Sequence, residues 1–429
     1  MKKLPHPAIY ALLYFPFGAM GGFVAVAMTF LATKNGLTIT EGALFGAVQL
    51  AISWMKWTWA PVVDVTLTPK RWYHIATSTS AVAVIGLASF PINQENMPLL
   101  LAMVAAGAVV NSIVGMAVEA IMAHATPETE QGRASGWFQV GNLGGSGVGG
   151  GLGLIMLEGL PWPWLAGVIM GASFLLCGIG LRWLPDTPRH EVEGGVRGAL
   201  RKVGRDIADM GRSKGGLLAA ILCFSPVGTG AAAGVLTQAA VAAEWGAGAN
   251  EVATIQGTVA GVIMALGCLV GGYACDRMRP RTAYAVFGLL LGLVAVGMAY
   301  SPRTVAMFVG WSMVYNFGVG LAYAAFTATV LNAMGTGSAA TKYNLYASIS
   351  NFPIWWLGLL LAWTADPTQN AVATAPWLGG LAAMVDRHLG HTPHDMLILE
   401  ALIGVVGVSV FFVMSRVVGR SRLPDSVAT

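Results

Sequence analysis

Runs of apolar residues about one bilayer thickness long recur through the whole chain, parted by short polar segments. A helix needs about 20 apolar residues to cross a bilayer. A window of that length predicts twelve spans, approximately at 8–31, 41–63, 73–92, 98–123, 134–157, 163–184, 215–240, 252–274, 283–300, 304–332, 342–365 and 395–418. An even number of spans places both chain ends on one side of the membrane. Span five departs most from the common pattern. Its glycines fall at 141, 145, 149 and 153, every fourth residue, so they form one bare stripe on a helix along which a second helix can approach closely. Each costs roughly 1 kcal/mol against alanine, so the stripe needs a packing reason. Span eight offers a mate, with small-residue rows at Gly257 and Gly261 and at Gly267 and Gly271. The letters of span five also contain Gly145-x-Gly147-x-x-Gly150. That dinucleotide-type spacing carries no such meaning here, because no strand precedes it and no acidic residue follows at the needed distance.

Composition agrees with the spans. Of 429 residues, 55% are hydrophobic and 10% charged, with a mean hydropathy of +0.66; soluble globular proteins carry about 25% charged residues. The chain reads as an integral membrane protein. The first span is too long for a signal sequence and lacks a clear cleavage site, so it is expected to stay. Lys and Arg fix the orientation. With both termini cytoplasmic, only Lys34, Arg303 and Arg387 face outside, whereas the basic residues around 2–3, 70–71, 133, 182–214, 277–281, 342 and 416–422 face inside. The net charge of +4 follows from this asymmetry and does not point to nucleic acid. Cys177, Cys223, Cys268 and Cys275 show no pairing pattern and read as reduced core residues.

The basic stretch between spans six and seven divides the chain into a bundle at 1–184, a cytoplasmic linker at 185–214 with a short amphipathic surface helix, and a second bundle at 215–429. The halves echo one another. Arg133 and Asn142 in GRASGWFQVGN recur at one offset as Lys342 and Asn351 in TKYNLYASISN, and WAPVVDVTLTPKRWY and VGGYACDRMRPRTAY each place an Asp and then basic residues past a helix end. Duplicated halves of this kind mark a rocking transporter with its site between them. The fold class expected is therefore an all-α membrane protein of twelve helices in two pseudo-symmetric six-helix bundles.

No catalytic motif or sizeable soluble domain is present, so an enzyme is not expected. The chemistry lies in polar groups at membrane depth, where a charge costs several kcal/mol unless paired or wetted. Glu119 in span four reads as the deepest acid and Lys56 in span two as the deepest base, both toward the cytoplasmic side and able to pair. They are the candidate proton-coupling residues, with Lys56 also suited to an anionic substrate; a structural ion pair is the competing reading. Asp64 with Arg71, and Asp276 with Arg277 and Arg281, are candidate gates, where a carboxylate at a helix end meets basic residues and opposing helix termini. Candidate substrate contacts are Trp54, Trp57, Gln139, Asn142, Gln238, Gln256, Asn316, Tyr323, Tyr346 and Asn351, which offer hydrogen bonds without charge and rings for stacking. Each alone could equally be an interhelical bond. In the longest external segment a helix is expected to end at Gly390, beside His388, His391 and His394. A metal site there is left open against a solvated loop cluster.

The runs LLYFPFGAMGGF, KWTWAPVVDV followed by KRW, GGYACDRMRPR and AATKYNLYASISN resemble the major facilitator superfamily, and within it the peptide and acetyl-CoA transporter group that includes the AmpG muropeptide permeases. Lys56, Trp59, Ala60, Pro61 and Asp64 form the most specific part of the likeness. The resemblance implies a proton-driven importer of anhydromuropeptides in the bacterial inner membrane. Siderophore or acetyl-CoA import is the alternative cargo, and a non-transporting membrane sensor or assembly factor the alternative class. A monomer is expected, with a small-molecule substrate, protons and the lipid bilayer as partners and with no nucleic acid, cofactor or resident metal.

Overall fold

The computed structural model of the chain describes residues 5–186, 195–248, 259–335, 337–369 and 375–421, with 251, 252, 255, 372, 423 and 424. Among the described residues every regular element is helical. Eight spans are helices long and apolar enough to cross a membrane: Ala8–Lys34, Met97–Ala125, Glu128–Gly159, Pro163–Trp183, Pro280–Ala299, Val305–Met334, Ala339–Ala365 and Pro393–Gly419. These are spans one, four to six and nine to twelve. Span three is Pro69–Ser89, span eight contains Ala260–Cys275, and spans two and seven are broken.

Both breaks follow from proline. Span two runs Ile39–Met55, tightens into a 3₁₀ turn at Lys56–Thr58 and resumes at Ala60–Val65, where Pro61 occupies the first turn and supplies no N–H to the turn above. Span seven ends its first half, Lys214–Phe224, at Ser225, whose extended backbone is what a residue before proline prefers. The chain then passes Gly228 and Gly230, both at positive φ, before Ala231–Leu236. Spans one and five each carry a π turn, at Phe23–Met28 and Val140–Gly144.

Span five is packed backbone to backbone on two sides. Its stripe lies against span one, not span eight: a Cβ on Gly149 would stand 1.9 Å from the Ala19 carbonyl oxygen, and one on Gly141 would stand 2.5 Å from that of Ala11. A second face meets span eight as expected, but through Gly132 and Gly136 against Gly272 and Cys268, and through Gly147 against Gly261. Gly267 and Gly271 approach span ten instead, and Gly257 lies outside the described residues.

Each bundle has its own apolar core. A third core joins them at the end nearest the linker, where Leu13, Ile121 and Phe138 share a cluster with Val330, Met334 and Tyr343. The linker helix, Gly195–Arg212, buries Ala199, Val203 and Met210. Its Asp206 accepts a hydrogen bond from Ser338 Oγ at 2.6 Å, fastening it to the loop before span eleven. On the far face a short helix, Gly379–His388, lies before span twelve; it ends two residues ahead of the expected Gly390.

Replacing Gly149 by Val should destabilise the protein by about 1–3 kcal/mol through overpacking, whereas Gly358→Ala, with nothing within 4 Å of the new Cβ, should be near neutral. Thermal melting in detergent would distinguish them, and equal melting would show that the spans one and five contact yields freely.

Candidate substrate cavity and gates

A cavity of about 300 Å³ lies between the bundles. The local irregularities point polar groups into it. Lys56 enters from the 3₁₀ turn of span two, Asn142 from the π turn of span five, and Thr229 from the break in span seven. Ser350 and Asn351 line it just before Pro353, which interrupts the hydrogen-bond ladder of span eleven. Tyr14, Tyr284, Tyr323 and Tyr343 add rings and hydroxyls. Across one wall runs a chain of bonds: Asn142 Nδ2 donates to Gln139 Oε1 at 2.9 Å, and Gln139 Nε2 donates to Thr327 Oγ1 at 2.7 Å. Thr327 and Tyr343 hydroxyls are 3.1 Å apart, so the chain joins spans five, ten and eleven across the bundle interface.

Glu119 is fully buried beside this cavity. Its Oε1 accepts from the Tyr14 hydroxyl at 3.3 Å and its Oε2 from Asn344 Nδ2 at 2.5 Å. Asn344 belongs to span eleven, so the carboxylate is a contact between bundles. The expected pairing with Lys56 is not a contact. No ion pair within 4.0 Å joins them. Among the described residues the Lys56 ammonium has no hydrogen-bond or ion-pair partner, and it lines the cavity. The reason is the tight turn at 56–58, which carries the side chain toward the midline rather than across to span four.

Glu119 is not alone as a buried acid. Glu400 of span twelve is 6% exposed and its Oε1 accepts from the Tyr315 hydroxyl. Its place in the run ILEALIGVVG, one acid inside an apolar helix, was a legible signal.

Toward the linker face the bundles are closed by two matching contacts. Asp64, at the end of span two, accepts the backbone N–H groups of Ala340 and Thr341 at 3.1 and 2.8 Å and the Thr341 hydroxyl at 2.6 Å. Asp276, at the end of span eight, accepts Arg133 N–H at 3.2 Å and Arg133 Nε at 2.5 Å. Each carboxylate thus caps the first turn of a helix in the other bundle, where unsatisfied N–H groups and the helix dipole favour a negative charge. The basic partners expected within each loop play no part. Arg71 is exposed and Arg277 turns to the Tyr273 carbonyl at 3.0 Å, while Arg281 is half-buried without reaching Asp276. The halves differ in their cation: Arg133 joins its contact, whereas Lys342, its counterpart, donates to the Met334 carbonyl.

Of the expected substrate residues, Gln139, Asn142, Tyr323 and Asn351 line the cavity. The others lie elsewhere. Trp54 packs edge-on against Trp355, with ring centroids 5.4 Å apart. Trp57 is 45% exposed and does not line the cavity. Gln238 stands at the start of the short helix Ala239–Ala243. Asn316 donates to the Ser312 carbonyl within span ten, and Tyr346 donates to the Gly216 carbonyl at 2.8 Å. Gln256 lies outside the described residues. Tyr14, Tyr343 and Asn344 are not among the expected residues; Tyr343 and Asn344 stand within a turn of Tyr346, which was an available signal, whereas nothing local in the sequence marks Tyr14. The histidines separate: His391 Nε2 pairs with Asp386 at 2.9 Å and His394 lies 3.5 Å from Asp395. Among the described residues no group of three or more His, Cys, Asp or Glu is arranged to hold a metal.

No curated protein matches the sequence significantly. Solved structures share the fold. The human organic anion transporter MFSD10 (TETRAN) superposes with a TM-score of 0.66 at 13% identity, over 94% of this chain and 98% of that one. The proton:xylose symporter XylE, bound to 6-bromo-6-deoxy-D-glucose, does so with a TM-score of 0.66 at 12% identity, over 96% of each chain. FucP in the outward conformation has a TM-score of 0.64 at 16% identity, over 97% and 99%. At such identities the likeness speaks for the fold. The Major Facilitator Superfamily model matches residues 10–358, and the chain belongs to that superfamily of multi-pass membrane transporters.

Proposed function

We propose that this chain is a proton-coupled secondary importer working by alternating access, with a hydroxyl- and amide-rich, negatively charged metabolite as its cargo. It would sit in the inner membrane of a bacterium with its termini and linker cytoplasmic. The carrying observation is Glu119, a fully buried carboxylate held by Asn344 of the opposite bundle and separated from the polar cavity by Tyr14. A group so placed can exchange a proton with the cavity and, in doing so, change a contact that must break when the bundles rock. Lys56 supports an anionic cargo, because an ammonium facing the cavity without a partner among the described residues is ready to meet one.

An anhydromuropeptide is the cargo that the sequence resemblance favours. The lining supplies amides and hydroxyls from Gln139, Asn142, Ser350 and Asn351 and rings from Tyr14 and Tyr323 for its sugars. A second reading rests on the volume. About 300 Å³ is the lower end of the range of about 300–1,000 Å³ for small-molecule pockets, which favours a single acidic sugar over a disaccharide-peptide unless the cavity widens on binding.

Uptake into proteoliposomes under an inward proton gradient tests the coupling. Glu119→Gln should abolish gradient-driven accumulation and leave counterflow exchange in place; accumulation with unchanged pH dependence would reject the assignment. Lys56→Met should raise KM for an acidic cargo while changing little for a neutral analogue of equal size, and an equal loss for both would remove the anion role. For the gates, Asp64→Asn weakens bonds to a charged acceptor worth about 1.5–3 kcal/mol each, so the cytoplasmic side should open more often. A cysteine at Ser350, in a background without the four native cysteines, should then label faster from the linker face, as it should with Asp276→Asn. Unchanged labelling in both variants would show that the contacts do not hold the gate.

A further inference from the structure

On the membrane-facing side of the second bundle lies another cavity, of about 1080 Å³, bounded by spans seven, eleven and twelve beneath the short far-face helix. That helix turns one stripe toward it, Leu381, Met384, Val385 and His388, at the i, i+3, i+4, i+7 spacing of a single helical face. The inner wall is aromatic. Phe352 stacks on Phe224 at 5.5 Å and on Trp377 at 5.8 Å, with ring planes within 13° and 17°. Along span twelve Leu402, Val406 and Val410 line the groove and are 52%, 61% and 48% exposed, so it opens sideways onto the surroundings of the spans. At that depth the surroundings are acyl chains.

The groove changes character at its far-face end. His388 lines it there and Arg387, beside it in sequence, is exposed, while the neighbouring Asp386 is engaged by His391. The upper rim therefore presents cationic and hydrogen-bonding groups above an apolar slot, the arrangement that an anionic headgroup with its chains below would complement. We propose that the groove is a site for an anionic phospholipid of the far-face leaflet, its acyl chains lying between spans seven, eleven and twelve and its phosphate meeting Arg387 and His388. The lipid would also brace the transport pathway. Pro226 and Phe352 face the groove, whereas Gly228, Thr229 and Pro353, one to three residues away, face the central cavity. The two spaces share the broken segment of span seven as their wall.

Native mass spectrometry of the whole purified protein, equilibrated with phosphatidylglycerol and phosphatidylcholine together, reads this directly and needs no variant. Phosphatidylglycerol should be retained several-fold over phosphatidylcholine. Val406→Trp, which fills the slot from its lipid-exposed side, should lose the retained lipid, whereas Val270→Trp, at a similarly exposed position on span eight, should keep it. Arg387→Ala with His388→Ala should retain lipid but lose the preference between headgroups. Equal retention of the two lipids by the unmodified protein, retention indifferent to Val406→Trp, or a bound polypeptide mass in place of lipid would each overturn the proposal.

Discussion

Close approach of backbone to backbone around span five constrains the rest of the molecule. Within a bilayer there is no hydrophobic gain in bringing two helices together, so packing must come from surface that fits. Here the fit is made by removing side chains. Gly141 and Gly149 lie against span one, and Gly132 and Gly136 against span eight, with carbonyl oxygens where a Cβ would stand. Span five is thereby fixed between span one of its own bundle and span eight of the other, and its remaining polar side chains have few places to go. Gln139 and Asn142 reach the midline and Arg133 reaches Asp276. The same contact positions a cavity wall and a candidate gate.

The second constraint is electrostatic. Four unsatisfied N–H groups begin every helix, and at the linker face two of these helix starts, those of spans five and eleven, meet carboxylates from the opposite bundle. Such contacts need no apolar interlock and can separate without leaving a buried charge unpaired, since water reaches the membrane edge. That suits a closure meant to open. The apolar cluster just above, shared by Phe138, Met334 and Tyr343, excludes water from the cavity floor while the carboxylates hold.

Much of this was legible in the residues, and the reason differs from case to case. Span positions follow from apolar length, which is a one-dimensional property. The two carboxylates of the candidate gates follow from duplication, since Asp64 and Asp276 stand at matching helix ends, and both do meet opposing helix termini. Which partner each carboxylate takes is not written locally: Arg71 and Arg277 are near in sequence, but Thr341 and Arg133 are near in space. The glycine stripe likewise announces a close helix neighbour without naming it, and span one takes that place rather than span eight. The residues expected to meet substrate divide on the same ground. Asn142 and Asn351, repeated in both halves, line the cavity; Asn316 and Tyr346, chosen for type alone, satisfy helix backbones instead.

Span eleven is where the proposed coupling becomes quantitative. Its first turn is held by Asp64 at Ala340 and Thr341, and one turn further on Asn344 donates to Glu119. A hydrogen bond to a charged acceptor contributes about 1.5–3 kcal/mol against about 0.5–1.5 kcal/mol for a neutral one. Protonating Glu119 would therefore loosen the grip on span eleven by about 1–1.5 kcal/mol, roughly a tenfold shift in the gate equilibrium. That is too little to reverse a closed state by itself, since moving from 1:99 to 99:1 takes about 5.5 kcal/mol. The remainder must come from the cargo, through contacts that differ between the two arrangements. The residues able to supply them are Lys56 on span two and Ser350 and Asn351 on span eleven itself, which line one cavity from opposite bundles. A proton without cargo then leaves the gate mostly shut, at about 1:10, whereas cargo supplying the remaining ~4 kcal/mol would by itself take it to about 10:1 open, so this one bond guards against a proton leak and not against uncoupled cargo.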